Sequence, residues 1–204
     1  MIAAVEAASV RPVSRETFEK LGRYVDLLIA ENGRQNLIAR STESDVWKRH
    51  IADSAQLLRF APPEGGRWLD IGTGAGLPGL VIAILTGDPV TLVEPRRLRA
   101  EFLERAAAEL DLRVTVTCAK VEKLTGQFDV ITARAVAAAD ALFGMAAHLS
   151  HPGTIWILPK GRSAKSELDA ALQAWQGSFR LEPSVTSGEA AILVASHVRR
   201  KGQG

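Results

Sequence analysis

Residues 70–79 read Asp-Ile-Gly-Thr-Gly-Ala-Gly-Leu-Pro-Gly, directly after the apolar pair Trp68 and Leu69. Glycines at 72, 74, 76 and 79 allow a backbone to close on a ligand without a clashing Cβ. Asp70 stands ahead of this loop, and Glu94 follows the next apolar run. Two ligands suit such a pattern. Gly74, Gly76 and Gly79 satisfy the G-x-G-x-x-G spacing of a dinucleotide site. A diphosphate needs free backbone N–H groups at a helix N-terminus, however, and Pro78 removes one while Asp70 adds negative charge nearby. S-adenosylmethionine has no phosphate and carries a sulfonium and an ammonium group. Asp70 can then hold the methionine part by charge-assisted hydrogen bonds. A carboxylate at Glu94 accepts ribose hydroxyls in either nucleoside. The balance favours S-adenosylmethionine, with a nicotinamide-dependent oxidoreductase as the alternative.

Other residues could meet a substrate. His50 and Asp53 are spaced i, i+3 and share a helix face, where they can build the substrate side of a pocket. Arg134 ends an apolar run and could hold the cofactor or hydrogen-bond a base edge. Arg96, Arg97 and Arg99 cluster just after Glu94, and Lys160 ends a later run. These four are the candidates for RNA phosphates, although a solvated face is the ordinary reading of such charges. Cys118 is the only cysteine. It excludes an internal disulfide and a multi-cysteine zinc site, and it reads as a small core residue. His148 and His151 bracket a helix end and read as capping or surface residues, so no metal is expected.

These residues must be positioned by regular elements. Residues 14–31 place Phe18, Leu21, Val25, Leu28 and Ile29 on one stripe of a helix, with Asn32-Gly33 as its stop. A second helix is predicted over 43–59, with Val46, Ile51, Ala55 and Leu58 inward. After the break at Pro62, Pro63 and Gly65-Gly66 the pattern changes to alternating strands and helices. Strands are predicted at 67–72, 90–94, 114–118, 128–134, 154–159 and 190–198, with one more over 178–186. Helices are predicted between them at 77–85, 99–110, 135–149 and 163–175. That alternation specifies an α/β, doubly wound and mostly parallel sheet. In such sheets ligands sit at the carboxyl ends of the strands, near the switch point. The glycine loop lies at the end of the first strand.

The chain is long enough for one well-buried domain with an appendage. The division expected is a helical extension over 1–64 packed on a core over 65–204. Hydrophobic residues make up 47% and charged residues 24%, which marks a folded rather than a disordered chain. A net charge of +2 does not by itself specify a nucleic-acid partner. No apolar run approaches the roughly 20 residues of a membrane span, and residues 1–16 carry acids and no signal-peptide core. The expectation is a cytoplasmic monomer with no membrane partner.

Taken together, Asp70–Gly79, His50-Ile-Ala-Asp-Ser54, Ala133-Arg-Ala135 and Leu158-Pro-Lys-Gly161 resemble the RsmG, or GidB, family of bacterial 16S rRNA guanine-N7 methyltransferases. The likeness spans residues 17–198. It implies a Rossmann-like, class I S-adenosylmethionine-dependent methyltransferase with a seven-stranded sheet and an N-terminal helical extension. It also implies methylation of guanine 527 in the small-subunit RNA. By position it places Gly72 and Leu77 at cofactor contacts in the glycine loop, and Val121 and Glu122 where adenine is held. Arg134 takes the position that ends the fourth strand. Where many members have Ser-Leu-Gly-Lys-Arg after the second strand, this chain has Glu94-Pro-Arg-Arg-Leu98.

The residues also narrow the chemistry. Methylation at pyrimidine C5 needs a nucleophilic cysteine, typically after proline, whereas Cys118 follows Thr117. Amino-group methylation commonly uses a polar-Pro-Pro-aromatic loop, whereas residues 132–136 read Thr-Ala-Arg-Ala-Val. Guanine N7 has an in-plane lone pair and no proton, so the lack of an obvious base is compatible with it. A noncatalytic RNA-binding protein with a retained cofactor fold is the third alternative.

Overall fold

The structure, a computed structural model, describes residues 1–202. Two helices open the chain, α1 (Ile2–Ser9) and α2 (Arg15–Gln35). The Ser14 hydroxyl caps α2 by accepting the Thr17 N–H at 3.1 Å. The helix runs through Asn32-Gly33, the expected stop, and ends at Asn36 in the left-handed conformation. Asn32 is buried, and its side chain accepts the Ile38 N–H and donates to Glu43. It therefore ties down the turn after the helix instead of breaking the helix. Leu21, Val25 and Leu28 are buried as the stripe requires, whereas Ile29 is 36% exposed.

Residues 43–59 are helical but not one regular helix. A 3-10 turn at Arg40–Asp45 leads to a π-helix at Trp47–Ala52, then α3 (Asp53–Ala55) and a 3-10 turn at Gln56–Arg59. Val46, Ile51, Ala55 and Leu58 are buried as expected. A π turn is rare and tends to occur at functional sites. Here it carries Arg49 and His50, which line a cavity at the carboxyl ends of the strands while Ile51 remains in the core.

The sheet comprises β1 (Trp68–Ile71), β2 (Val90–Val93), β3 (Val114–Thr117), β4 (Phe128–Ala133), β5 (Ser150–Lys160), β6 (Trp175–Pro183) and β7 (Ala191–Arg200). Their order is β3-β2-β1-β4-β5-β7-β6. The first five run parallel, and β7 is antiparallel to both its neighbours. Trp175 begins β6 rather than ending a helix. Its buried indole needs a polar partner and donates to Asp140 at 2.7 Å. Helices α4 (Gly79–Thr86), α5 (Arg97–Glu109), α6 (Ala139–Ala146) and α7 (Ala164–Ala174) supply the crossovers. One core layer joins α1, α2, α4 and α5 to the sheet through Tyr24, Leu28, Leu80 and Leu103. The other packs α6 and α7 around Phe143, Trp156 and Trp175.

The register decides where chemistry can gather. Ile71 pairs with Val93 on one side and with Ala133 on the other. The next residues along these strands are Gly72, Glu94 and Arg134, so all three leave the sheet at one level. Strand order also reverses between β1 and β4, which opens a crevice there. Among the described residues no helix is long and apolar enough to cross a membrane.

Candidate active site

The glycine loop is held from below by an acid. Asp70 is 0% exposed, and its Oδ2 accepts the Thr73 hydroxyl at 2.5 Å and the Gly79 N–H at 2.9 Å. Its Oδ1 is buried with no hydrogen-bond partner. Burial pushes the carboxyl up to about 7, against the opposing effect of those two bonds. The carboxylate thus fixes the loop's shape and does not line the cavity. Glycine is required at 79 by close packing, since a Cβ there would lie 2.2 Å from the Leu92 side chain and 2.8 Å from Asp70 Oδ2. At Gly74 the constraint is conformational, with φ at +57° and only Arg99 and the Gly72 carbonyl near an added Cβ.

Glu94 sits beside this loop, buried at the end of β2. One oxygen accepts the Gly74 N–H at 3.0 Å and the other accepts the Arg96 N–H at 2.9 Å. A carboxylate has about four acceptor sites, so capacity remains for a ligand's hydroxyls. The amides that a diphosphate would need are engaged, Gly74 with Glu94 and Gly79 with Asp70. That removes the physical basis for the offset dinucleotide pattern.

A cavity of about 840 Å³ opens over the loop. Gly72, Gly74, Leu77, Arg99, His50, Asp53, Arg134 and Lys160 all line it. The structure does not bring Val121 and Glu122 to this lining; they occupy the turn after β3, with Val121 buried and Glu122 exposed. Arg96 and Arg97 are exposed outside it, and Arg97 pairs with Glu101. Lys160 is corrected from a phosphate-facing residue. It is 9% exposed and donates to the Ala137 carbonyl at 2.8 Å while meeting Glu167 at 2.9 Å. A cation so enclosed is occupied in joining the loop after β4 to α7.

The wall facing the glycine loop is a polar chain. Arg134 Nη1 lies 3.4 Å from His50 Nδ1 and 3.4 Å from Asp53 Oδ2. His50 Nε2 lies 2.8 Å from the Thr42 hydroxyl, which donates onward to the Ala39 carbonyl at 2.7 Å. Arginine can only donate, so Nδ1 accepts and Nε2 carries the proton. Burial and then the Arg134 charge push the imidazole down to about 4, which keeps it neutral at pH 7. Asp53 Oδ1 accepts from Gln56 at 2.8 Å and from Thr186 at 2.6 Å.

Several residues that build the site were not legible as such. Tyr24 stands among the apolar positions of α2, but its buried hydroxyl donates to the Ala75 carbonyl at 2.9 Å. The available signal was that a buried tyrosine hydroxyl needs a partner. Gln56 is buried and accepts the Val185 N–H at 2.9 Å, fastening the β6–β7 connection to the helical segment. Cys118 is corrected from a core residue to an exposed one, because β3 is an edge strand. His148 contacts the Leu124 carbonyl, and His151 contacts Asp129 at 3.0 Å. Among the described residues no cluster could hold a metal ion.

Comparison with known proteins bears on this arrangement. The GidB family profile, described as rRNA small subunit methyltransferase G, matches residues 17–193. Ribosomal RNA small subunit methyltransferase G of Zymomonas mobilis subsp. mobilis is 50% identical, over 94% of this chain and 90% of that protein. The protein of the same name from Rhizorhabdus wittichii is 48% identical, over 94% of this chain and 91% of its own length. The glycopeptide N-methyltransferase MtfA, solved with S-adenosyl-L-methionine, superposes with a TM-score of 0.62 at 11% identity. That match covers 72% of this chain and 93% of MtfA, and it shows the class I methyltransferase fold alone. Identity near one half along almost the whole chain makes this protein a member of the rRNA small subunit methyltransferase G family.

Proposed function

We propose that this protein methylates N7 of guanine 527 in the 16S RNA of the small ribosomal subunit, using S-adenosylmethionine. It does so as a cytoplasmic monomer, with residues 1–64 as an extension that completes the site. Membership of the family supports an rRNA methyltransferase. The observation that favours N7 concerns His50, the imidazole on the cavity wall, whose ring nitrogens are both engaged and whose basicity is held well down by burial and by Arg134. An exocyclic amine or a ribose hydroxyl would call for a group to take its proton. N7 has none to give.

The residues present fit the cofactor. Gly74 leaves open space above the loop, where an added Cβ would meet only Arg99 and the Gly72 carbonyl, and Asp70 holds the loop in that shape from beneath. Gly72, Gly74 and Leu77 line the cavity on that side, and Glu94 offers its remaining lone pairs to ribose hydroxyls. The family likeness, and not the cavity lining, supports placing adenine beside Val121 and Glu122 on the turn after β3. When bound, S-adenosylmethionine supplies an electrophilic methyl whose bonding electrons return to sulfur as N7 bonds to carbon, leaving a positive imidazole ring. The chain contributes position. The pinned loop sets one side, and the Arg134, His50 and Asp53 wall sets the other. Holding two reactants in line can supply roughly 7–11 kcal/mol of the barrier. Arg96, Arg97 and Arg99 stand at the same end of the sheet for RNA phosphates.

The product identifies the target atom. A 7-methylguanosine ring opens on reduction, and the RNA then cleaves with aniline. Cleavage at one guanosine of the small-subunit RNA is the expected outcome. Methyl label retained without cleavage would refute the N7 assignment. Between about pH 6.5 and 9 the single-turnover rate should lack the rising limb of a general base.

A further inference from the structure

The cavity's far wall places a cation and a carboxylate side by side. Arg134 Nη1 and Asp53 Oδ2 lie 3.4 Å apart, with 19% and 22% of the two side chains exposed. A close charge-assisted pair would sit nearer about 2.7–2.9 Å. Each group is instead fixed from behind. Arg134 is steadied by His50, which is steadied by Thr42. Asp53 Oδ1 is held by Gln56 and Thr186, which leaves Oδ2 with only its long contact to Arg134.

Other carboxylates at this end of the sheet are engaged or lie outside the cavity lining. Glu167 meets Lys160 and Ser163. Glu94 accepts two backbone amides, and Asp70 is sealed beneath the loop. Asp53 is the lining carboxylate, among the described residues, with an oxygen available to a substrate.

The Watson–Crick edge of guanine presents an acceptor, a donor and a donor: O6, N1–H and the 2-amino group. A guanidinium beside a carboxylate offers the complement in the same order. We propose that Arg134 and Asp53 read this edge of the target guanine, Arg134 donating to O6 and the one available Asp53 oxygen, Oδ2, accepting from both N1–H and the 2-amino group. Adenine would set its 6-amino group against Arg134 and its bare N1 against Asp53, so it meets a donor with a donor and an acceptor with an acceptor. Such mismatches reject as well as select. N7 lies on the other edge of the base and stays open. This inference rests on the guanine-N7 reading above.

Inosine tests it, because inosine keeps N7, O6 and N1–H and lacks only the 2-amino group. Small subunits reconstituted with inosine or guanosine at the target position are compared by methyl transfer. The wild-type protein should favour guanosine in kcat/KM by roughly 10- to 100-fold, the value of one hydrogen bond to a charged group. Asp53→Asn keeps an acceptor for Gln56 and Thr186, yet should bring that ratio to within about threefold of unity. Its affinity for S-adenosylhomocysteine should equal the wild type's. Equal use of both bases by the wild type would overturn the inference, whether or not the variant turns over. So would an unchanged ratio in Asp53→Asn, or a loss of S-adenosylhomocysteine affinity that matches its loss of transfer. A wild-type protein inactive on guanosine subunits would refute the proposed function itself.

Discussion

A side chain added at Gly79 meets protein, whereas one added at Gly74 enters the space above the loop. Gly79→Ala puts a methyl into the Leu92 side chain, and overpacking of this kind costs about 1–3 kcal/mol. Denaturant melts should show that loss together with weaker S-adenosylhomocysteine binding. Gly74→Val forces a β-branched residue to φ +57°, at about 1–3 kcal/mol of strain, and should abolish binding, as read by calorimetry on protein that circular dichroism shows to be still folded. Two titrating groups, the buried Asp70 and the half-buried His50, oppose each other in pH dependence. Asp70 is raised from 3.8 to about 7, so the folded state keeps a proton that the unfolded chain has released, and this contribution is lost as pH rises from about 4 to 7. His50 is lowered from 6.5 to about 4, so its contribution is present above about 6.5 and lost as pH falls toward 4. Relative to the wild type, Asp70→Asn should therefore gain stability as pH rises through this window, and His50→Gln should lose it. Parallel curves for all three proteins would show that neither group is so perturbed.

At the scale of elements, the N-terminal helices are part of the loop's support. The Tyr24 hydroxyl reaches from α2 to the Ala75 carbonyl. Tyr24→Phe strands that carbonyl, at a cost of about 1–3 kcal/mol, and should weaken S-adenosylhomocysteine binding as the loop loosens. Equal affinity in the variant would make α2 a passive cover. The strands and helices after residue 65 were readable because their apolar periods are local properties of the chain. Asp70, Glu94 and the glycines were readable because their residue types are unusual at strand ends. Tyr24, Gln56 and Thr42 were not, since each acts through a partner fixed by tertiary packing. The π turn at Trp47–Ala52 was hidden for a related reason: the inward positions of 43–59 fit a regular helix as well as the mixed one observed. Asn32-Gly33 misled because a side chain that commonly ends helices was needed to secure the turn beyond.

Across the whole molecule, level strand ends gather the loop, the acids and Arg134 at one end of the sheet. The arginines after β2 share that end, with Arg99 in the cavity lining and Arg97 on the open surface. If both meet phosphates, Arg97→Ala combined with Arg99→Ala should reduce the slope of log affinity against log salt by about 1.5, since each single-strand phosphate contact contributes about 0.7 and each duplex contact about 0.9. S-adenosylhomocysteine binding should persist in Arg97→Ala alone, whose side chain lies outside the cavity. An unchanged slope in the double variant would assign these charges to solvent.

The exposed thiol of Cys118 closes the edge strand 3.9 Å from the Pro95 carbonyl, beside Arg96. Because it is the only cysteine in the chain, a maleimide fluorophore would attach at a single known point without any engineered residue. A dye there stands against the segment at Pro95 that leads into the arginines, where an arriving RNA should change its emission. The order in which cofactor and RNA engage could then be followed in real time on otherwise unaltered protein.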